Sequence, residues 1–212
     1  MRELAFCGEM LKPVNVFERI CSEVPWCRRD VLDSTVELSL EIAREGREGR
    51  RIGTLFTVGF AQDVLERSRP LILDPLAGHP KSVRHISDPN LRGTLKELAQ
   101  LDGAFVLSDE GTVEAACRYL NTVTHAAEIP LGLGSRHLAA ASISKETGAI
   151  AIVVSESAIV RVFHSGNIIA ELIPALWLLS KHTPQLRRRV HEEHLRDPIF
   201  TSDGPAETEG RS

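Results

Sequence analysis

Gly134-Ser135-Arg136-His137 runs directly into Leu138-Ala139-Ala140-Ala141-Ser142-Ile143-Ser144-Lys145, which puts small, hydroxyl and cationic groups at the mouth of an alanine-rich helix. The free N–H groups and positive dipole end of a helix favour an anion there. Ser135 adds a hydroxyl donor, and Arg136 and His137 add one or two positive charges. The chemistry this suits is phosphate binding, although Gly-Ser also serves as an ordinary turn and N-cap.

Two carboxylates stand in comparable settings. Asp102 precedes Gly103 and Ala104 at the start of a β-type run, so a carboxylate sits beside residues with little or no side chain. Such a group can hold a hard divalent cation or take a proton from a hydroxyl, and the small neighbours let a ligand approach the backbone. Glu156, within Ser155-Glu156-Ser157, follows the apolar run Ala149 to Val154, and strand ends in α/β sheets commonly carry ligand-facing groups. The plainer readings are Asp-Gly turn chemistry for the first and an exposed loop acid for the second. His191 and His194 flank two glutamates and lack a third ligand with metal-site spacing. They read as a solvated helix, as does Arg187-Arg188-Arg189 beside acidic residues.

The elements that must position these groups follow from periodicity. Residues 15 to 44 show helical spacing of apolar residues around a break at Pro25. A charged connection, 44 to 51, leads into a β-rich run at 52–59, and 70–89 reads as a long loop rich in Pro, Gly, His and Asp. Residues 90–100 have helical spacing. Runs 103–108 and 112–120 join across Asp109-Glu110-Gly111, which is hairpin turn chemistry. A helix from about Arg136 to Thr147 stops at Gly148, a buried central strand follows at 149–155, and a further strand spans 159–164 with a turn at 165–167. The expected fold is α/β, a mixed central β-sheet flanked by helices. The expected division is an N-terminal helical extension (1–50), a core domain (51–180), and a charged C-terminal helix with a disordered tail (181–212).

The bulk numbers narrow the function class. In 212 residues, 42% are hydrophobic and 25% charged, enough apolar content for a sizeable core. A formal net charge of -4 provides no global basic field, so neither nucleic acid nor an anionic membrane is an expected partner. The longest apolar run, Ile168 to Leu179, is interrupted by Glu171 and Pro174 and is shorter than the roughly 20 residues of a bilayer span. Cys7, Cys21, Cys27 and Cys117 form no CxxC pair and no secretory leader precedes them, so reduced thiols in a cytoplasm are expected.

Taken in order, Asp102-Gly103-Ala104, Gly134-Ser135-Arg136-His137 and Val154-Ser155-Glu156 resemble the signatures of the diadenylate cyclase domain family over about Ile52 to Ala170. Gly166-Asn167-Ile168-Ile169 resembles the family's Gly-x-Ile ending. Ser135 stands where Thr is common, Leu138 where many bacterial members have a second Arg, and Leu101 where some have His. The pattern is most similar to the stand-alone, archaeal-type branch. The resemblance implies condensation of two ATP into cyclic di-AMP and two pyrophosphates, in a homo-oligomer whose domains face each other. It implies catalytic roles for Asp102, Arg136 and His137, and a metal, Mg2+ or Mn2+, on Asp102 and Glu156. It implies ATP contacts from Gly103, Ala104, Leu120, Gly134, Ser135, Arg136, His137, Leu138, Ala139 and Ser155. The alternative is a catalytically inactive module that binds ATP or cyclic di-AMP in signalling or scaffolding; Leu138 favours it, and the retained carboxylates favour the enzyme.

Overall fold

Ile150-Ala151-Ile152-Val153-Val154 has no polar side chain, and an extended segment of that kind is stable only when covered on both faces. In the computed structural model, which describes residues 16–121, 130 and 132–181, it is the strand on which the sheet is centred, every residue fully buried. The strands are β1 (Thr54–Val58), β2 (Ser68–Pro70), β3 (Ala104–Leu107), β4 (Val113–Leu120), β5 (Ile150–Val154), β6 (Val160–His164) and β7 (Asn167–Leu172). Their order is β2-β4-β3-β1-β5-β6-β7; β1 and β3 run parallel and every other pair is antiparallel. The mixed sheet is the one expected, with the hairpin across 109–111 as its β3–β4 pair.

Helices cover both faces. In chain order the helices of the described residues are α1 (Val16–Glu23), α2 (Arg29–Glu45), α3 (Ala61–Glu66), α4 (Pro89–Leu98), α5 (Ser135–Thr147) and α6 (Pro174–Lys181), of which α2, α3 and α5 pack on the sheet. On one face α5 and α3 close over a cluster that contains Leu55, Val106, Ala140, Ala141, Ile143, Ala151, Val153 and Phe163. Alanines on α5, Ala149 just before β5 and Ala151 within it let helix and strand approach closely, and Phe163 fills the remaining volume. On the other face α2 packs on β5 and β6, and α4 packs on α2. Thr35 and Ser39, buried on α2, donate to the carbonyls of Val31 and Thr35 at 2.8 Å each, so their hydroxyls are satisfied within the helix. Phe56 and Phe105 stack across neighbouring strands with centroids 4.9 Å apart.

Helix ends follow the local chemistry. Asp88 caps α4 by accepting from the N–H groups of Asn90 (2.7 Å) and Leu91 (3.3 Å), with Pro89 in the first turn. Gly148 ends α5 in the left-handed conformation, φ 76°. The 70–89 segment is largely loop, with a single 3-10 turn at Lys81–Val83. Cys21, Cys27 and Cys117 are free thiols. Two compact units divide the chain, Met1–Leu176 with the sheet and Trp177–Ser212, whose described residues are the end of α6. Among the described residues no helix is long and apolar enough to cross a membrane. Arg187 to Arg189, His191, His194 and the tail from Gly204 lie outside the described residues, as do residues 1–15.

Candidate active site

The topology alone gathers the three motifs. Because β3 is parallel to β1 and β5 is antiparallel to it, the start of β3 and the end of β5 lie at the same end of β1: Leu55 pairs with Ala104 on one side and Thr54 with Val154 on the other. Asp102 and Glu156 therefore emerge on either side of Gly53. The tight Gly148 turn folds α5 back along β5, so the first turn of α5 arrives at this same end, with Gly134 as its N-cap and Ser135 and Arg136 as its first residues.

Arg136 joins the two carboxylates. Its Nη2 donates to Asp102 Oδ1 at 3.0 Å and its Nη1 to Glu156 Oε1 at 3.1 Å. The acids are open to solvent, with side chains 76% and 68% exposed, and the guanidinium is 37% exposed. At such exposure the pairs contribute little to folding, and the arrangement has the character of a surface prepared for a ligand. Gly53 makes it possible: a Cβ there would lie 2.6 Å from Arg136 Nη1 and 3.3 Å from Glu156 Cγ.

Two cavities meet at Ser135 and Arg136. One, of about 420 Å³, is lined on its polar side by Asp102, Arg118 and Arg136, and elsewhere by Gly103, Ala104, Leu120, Leu138 and Ala139 among others. Its mixed apolar and charged wall suits a nucleoside with phosphate at one end. Gly103 is obligatory here. Its φ is 111°, and a Cβ would stand 2.6–2.8 Å from the backbone of Cys117 and Arg118, because a β-bulge in β4 puts Cys117 itself at φ 53° and presses its backbone inward. The second cavity, of about 390 Å³, lies on the Glu156 side and includes Gly134, His137, Ser155, Ser157 and Arg161. Ser155 Oγ and Ser157 Oγ hydrogen-bond each other at 2.9 Å.

Of the one or two positive charges that Arg136 and His137 offer in the sequence, His137 does not supply the second. It is 6% exposed, its ring packs edge-on to Phe163, and Arg161 Nη1 donates to its Nε2 at 3.1 Å. Burial, then the Arg161 charge, holds its pKa below the usual histidine value, so the ring is neutral at pH 7. Arg136 is therefore the charge that the first turn of α5 brings to the site.

All twelve residues singled out in the sequence border this one end of the sheet or the cavities there. Sequence reasoning missed Gly53, Arg118 and Arg161. Gly53 carries no sequence signal, since its partner is 83 positions away, but a lone arginine between buried valines in Val160-Arg161-Val162 is a visible anomaly. Asp102 and Glu156 offer only oxygen donors, drawn together by one guanidinium, a set that fits a hard divalent cation such as Mg2+ or Mn2+. Among the described residues no group of three or more His, Cys, Asp or Glu is assembled for a metal, so a cation here would need ligand oxygens from substrate or water.

Residues 41–168 match the family model described as DAC, DisA bacterial checkpoint controller nucleotide-binding. A diadenylate cyclase from Methanocaldococcus jannaschii is 47% identical over 167 residues, 78% of this chain and 52% of that protein. A diadenylate cyclase from Haloferax volcanii is 42% identical over 145 residues, 68% of this chain and 53% of that protein. The chain thus spans about half the length of the curated relatives it matches. Among solved structures, a double mutant of DacA from Staphylococcus aureus aligns with a TM-score of 0.46 and 22% identity, covering 72% of this chain and 95% of that one.

Proposed function

The chain belongs to the DAC family of nucleotide-binding domains, and on that premise we propose that it is a diadenylate cyclase, which condenses two ATP into cyclic di-AMP and two pyrophosphates. The observation that carries the reading is Arg136, held 3.0 and 3.1 Å from Asp102 and Glu156 at the rim of a nucleoside-sized cavity. In each half-reaction the 3′-oxygen of one ATP bonds to the α-phosphorus of the other, the bond to the β-phosphate bridging oxygen breaks, and pyrophosphate leaves. Asp102, the most open acid of the group, accepts or orients the hydroxyl proton. Arg136, Ser135 and the first N–H groups of α5 stabilise charge on the phosphate, and Gly103 and Leu120 hold the nucleoside. A divalent cation on Asp102 and Glu156 would neutralise phosphate charge and orient the α-phosphate.

One chain has one copy of each motif and, among the described residues, one such rim, so two copies must face each other for the two nucleotides to react. ATP as substrate and the free thiols support a cytoplasmic location for this reading. Asp102→Asn keeps the shape and removes the charge: it should lower cyclic di-AMP formation by roughly 10²-fold or more with thermal stability unchanged. Undiminished turnover of that variant would refute the assignment, and ATP binding without product in the unmodified protein would favour the inactive binding module.

A further inference from the structure

Arg161 is a buried cation that the reaction as described leaves without a task. It is the second residue of β6, its side chain 12% exposed, and it lines the 390 Å³ cavity between the first turn of α5 and the loop after β5. Glu171 on β7 accepts from its Nε, and His137 Nε2 accepts from its Nη1. A guanidinium carries five N–H donors in a planar fork and no acceptor, so these two bonds do not exhaust it.

The histidine gives an independent sign of a ligand. Since Arg161 can only donate, Nε2 must be the acceptor, and the proton of the neutral ring resides on Nδ1. That Nδ1 is buried without a hydrogen-bond partner, and His137 lines the same cavity. Burying an unpaired N–H is costly, so this donor favours a ligand that can accept from it. The charged residues of the cavity wall are Arg136 and Arg161 against Glu156, and Ser135, Ser155 and Ser157 add hydroxyls. The wall is net cationic and rich in donors. Arg136 is shared with the nucleoside cavity, so a ligand whose nucleoside fills one cavity reaches the other with its distal phosphates. Leu138, on the nucleoside side, offers no charge there.

We propose that Arg161 is a pyrophosphate-binding residue: it anchors the β- and γ-phosphates of ATP, the leaving group, in the cavity beside Ser155, while Glu171 and His137 hold its guanidinium in place. This rests on the cyclase reading for its substrate and not for its chemistry, since inorganic pyrophosphate alone tests it. Calorimetric titration of the full chain with inorganic pyrophosphate and Mg2+ is compared for the unmodified protein, Arg161→Gln and Arg161→Lys, with thermal melts of each. Loss of a charge-assisted, desolvated contact should weaken pyrophosphate binding by roughly 10-fold or more in R161Q. R161K, which keeps the charge and loses the fork, should recover part of that affinity. In turnover the same variants should raise KM for ATP. If R161Q does not fold, the intermediate affinity of R161K carries the test. Pyrophosphate binding that is absent in the unmodified protein, or equal in all three, overturns the proposal. Arg161-dependent pyrophosphate binding in a chain that forms no cyclic di-AMP would instead sink the cyclase reading and leave this site standing.

Discussion

Gly53→Ala separates positioning from stability. The backbone at Gly53 has no positive φ, so alanine is conformationally acceptable, and the nearest atoms to its Cβ are the end of Arg136, at 2.6 Å from Nη1, and Glu156 Cγ at 3.3 Å. Ordinary contact between such atoms is about 3.5 Å, so the guanidinium must retreat by about 1 Å. Because Arg136 ends in a flexible side chain that is 37% exposed, the retreat should be nearly free for folding, within about 0.5 kcal/mol, as for other surface changes. For catalysis it should be expensive, since a misplacement of ~1 Å at a reacting centre reduces rate by about 10²-fold, or about 2.7 kcal/mol of barrier. The assay is steady-state conversion of ATP to cyclic di-AMP, run beside a thermal melt. An active G53A, or one whose activity falls only because it unfolds, would refute the idea that the Asp102–Arg136–Glu156 geometry matters.

Two further outcomes follow from the core and from His137. Phe163, fully buried under α5, should cost about 3–5 kcal/mol when replaced by alanine, read as a lower denaturant midpoint. His137 has a folded pKa below its unfolded value, with burial as the main cause, Arg161 and Arg136 adding to it and Glu171 opposing it. The unfolded chain therefore binds the extra proton first, and stability should fall as pH drops below about 6.5. Melts of the unmodified protein and of His137→Asn across pH 5–8 should differ in that window, with the variant showing the shallower slope; parallel curves would contradict it.

The central elements were legible because their composition left one choice. Residues 150–154 are a buried strand in any sheet, Gly148 is a stop for α5, and Asp109-Glu110-Gly111 closes the hairpin between β3 and β4. The sheet margins were not. β2 has three residues ending in Pro70, and β7 is a partly exposed edge strand whose side chains do not alternate, so neither carries a period-2 signal. α3, six residues long, is too short to show a helical period and enters through Phe60 in the left-handed conformation, which no sequence rule assigns to phenylalanine. At the site, the resemblance of three motifs to the family's signatures pointed to Asp102, Arg136 and Glu156, but not to one guanidinium binding both acids, because that depends on β1 lying between β3 and β5. The sequence left one or two positive charges to Arg136 and His137, because what decides against the second is burial against Phe163 and the proximity of Arg161, both contacts across the fold.

The most direct test is incubation of the purified chain with ATP and Mg2+ or Mn2+, followed by chromatography and mass spectrometry of the products. The account predicts cyclic di-AMP and pyrophosphate in a ratio of one to two, at a rate per chain that rises with protein concentration as facing pairs form. ATP returned intact by a folded, ATP-binding chain would contradict it.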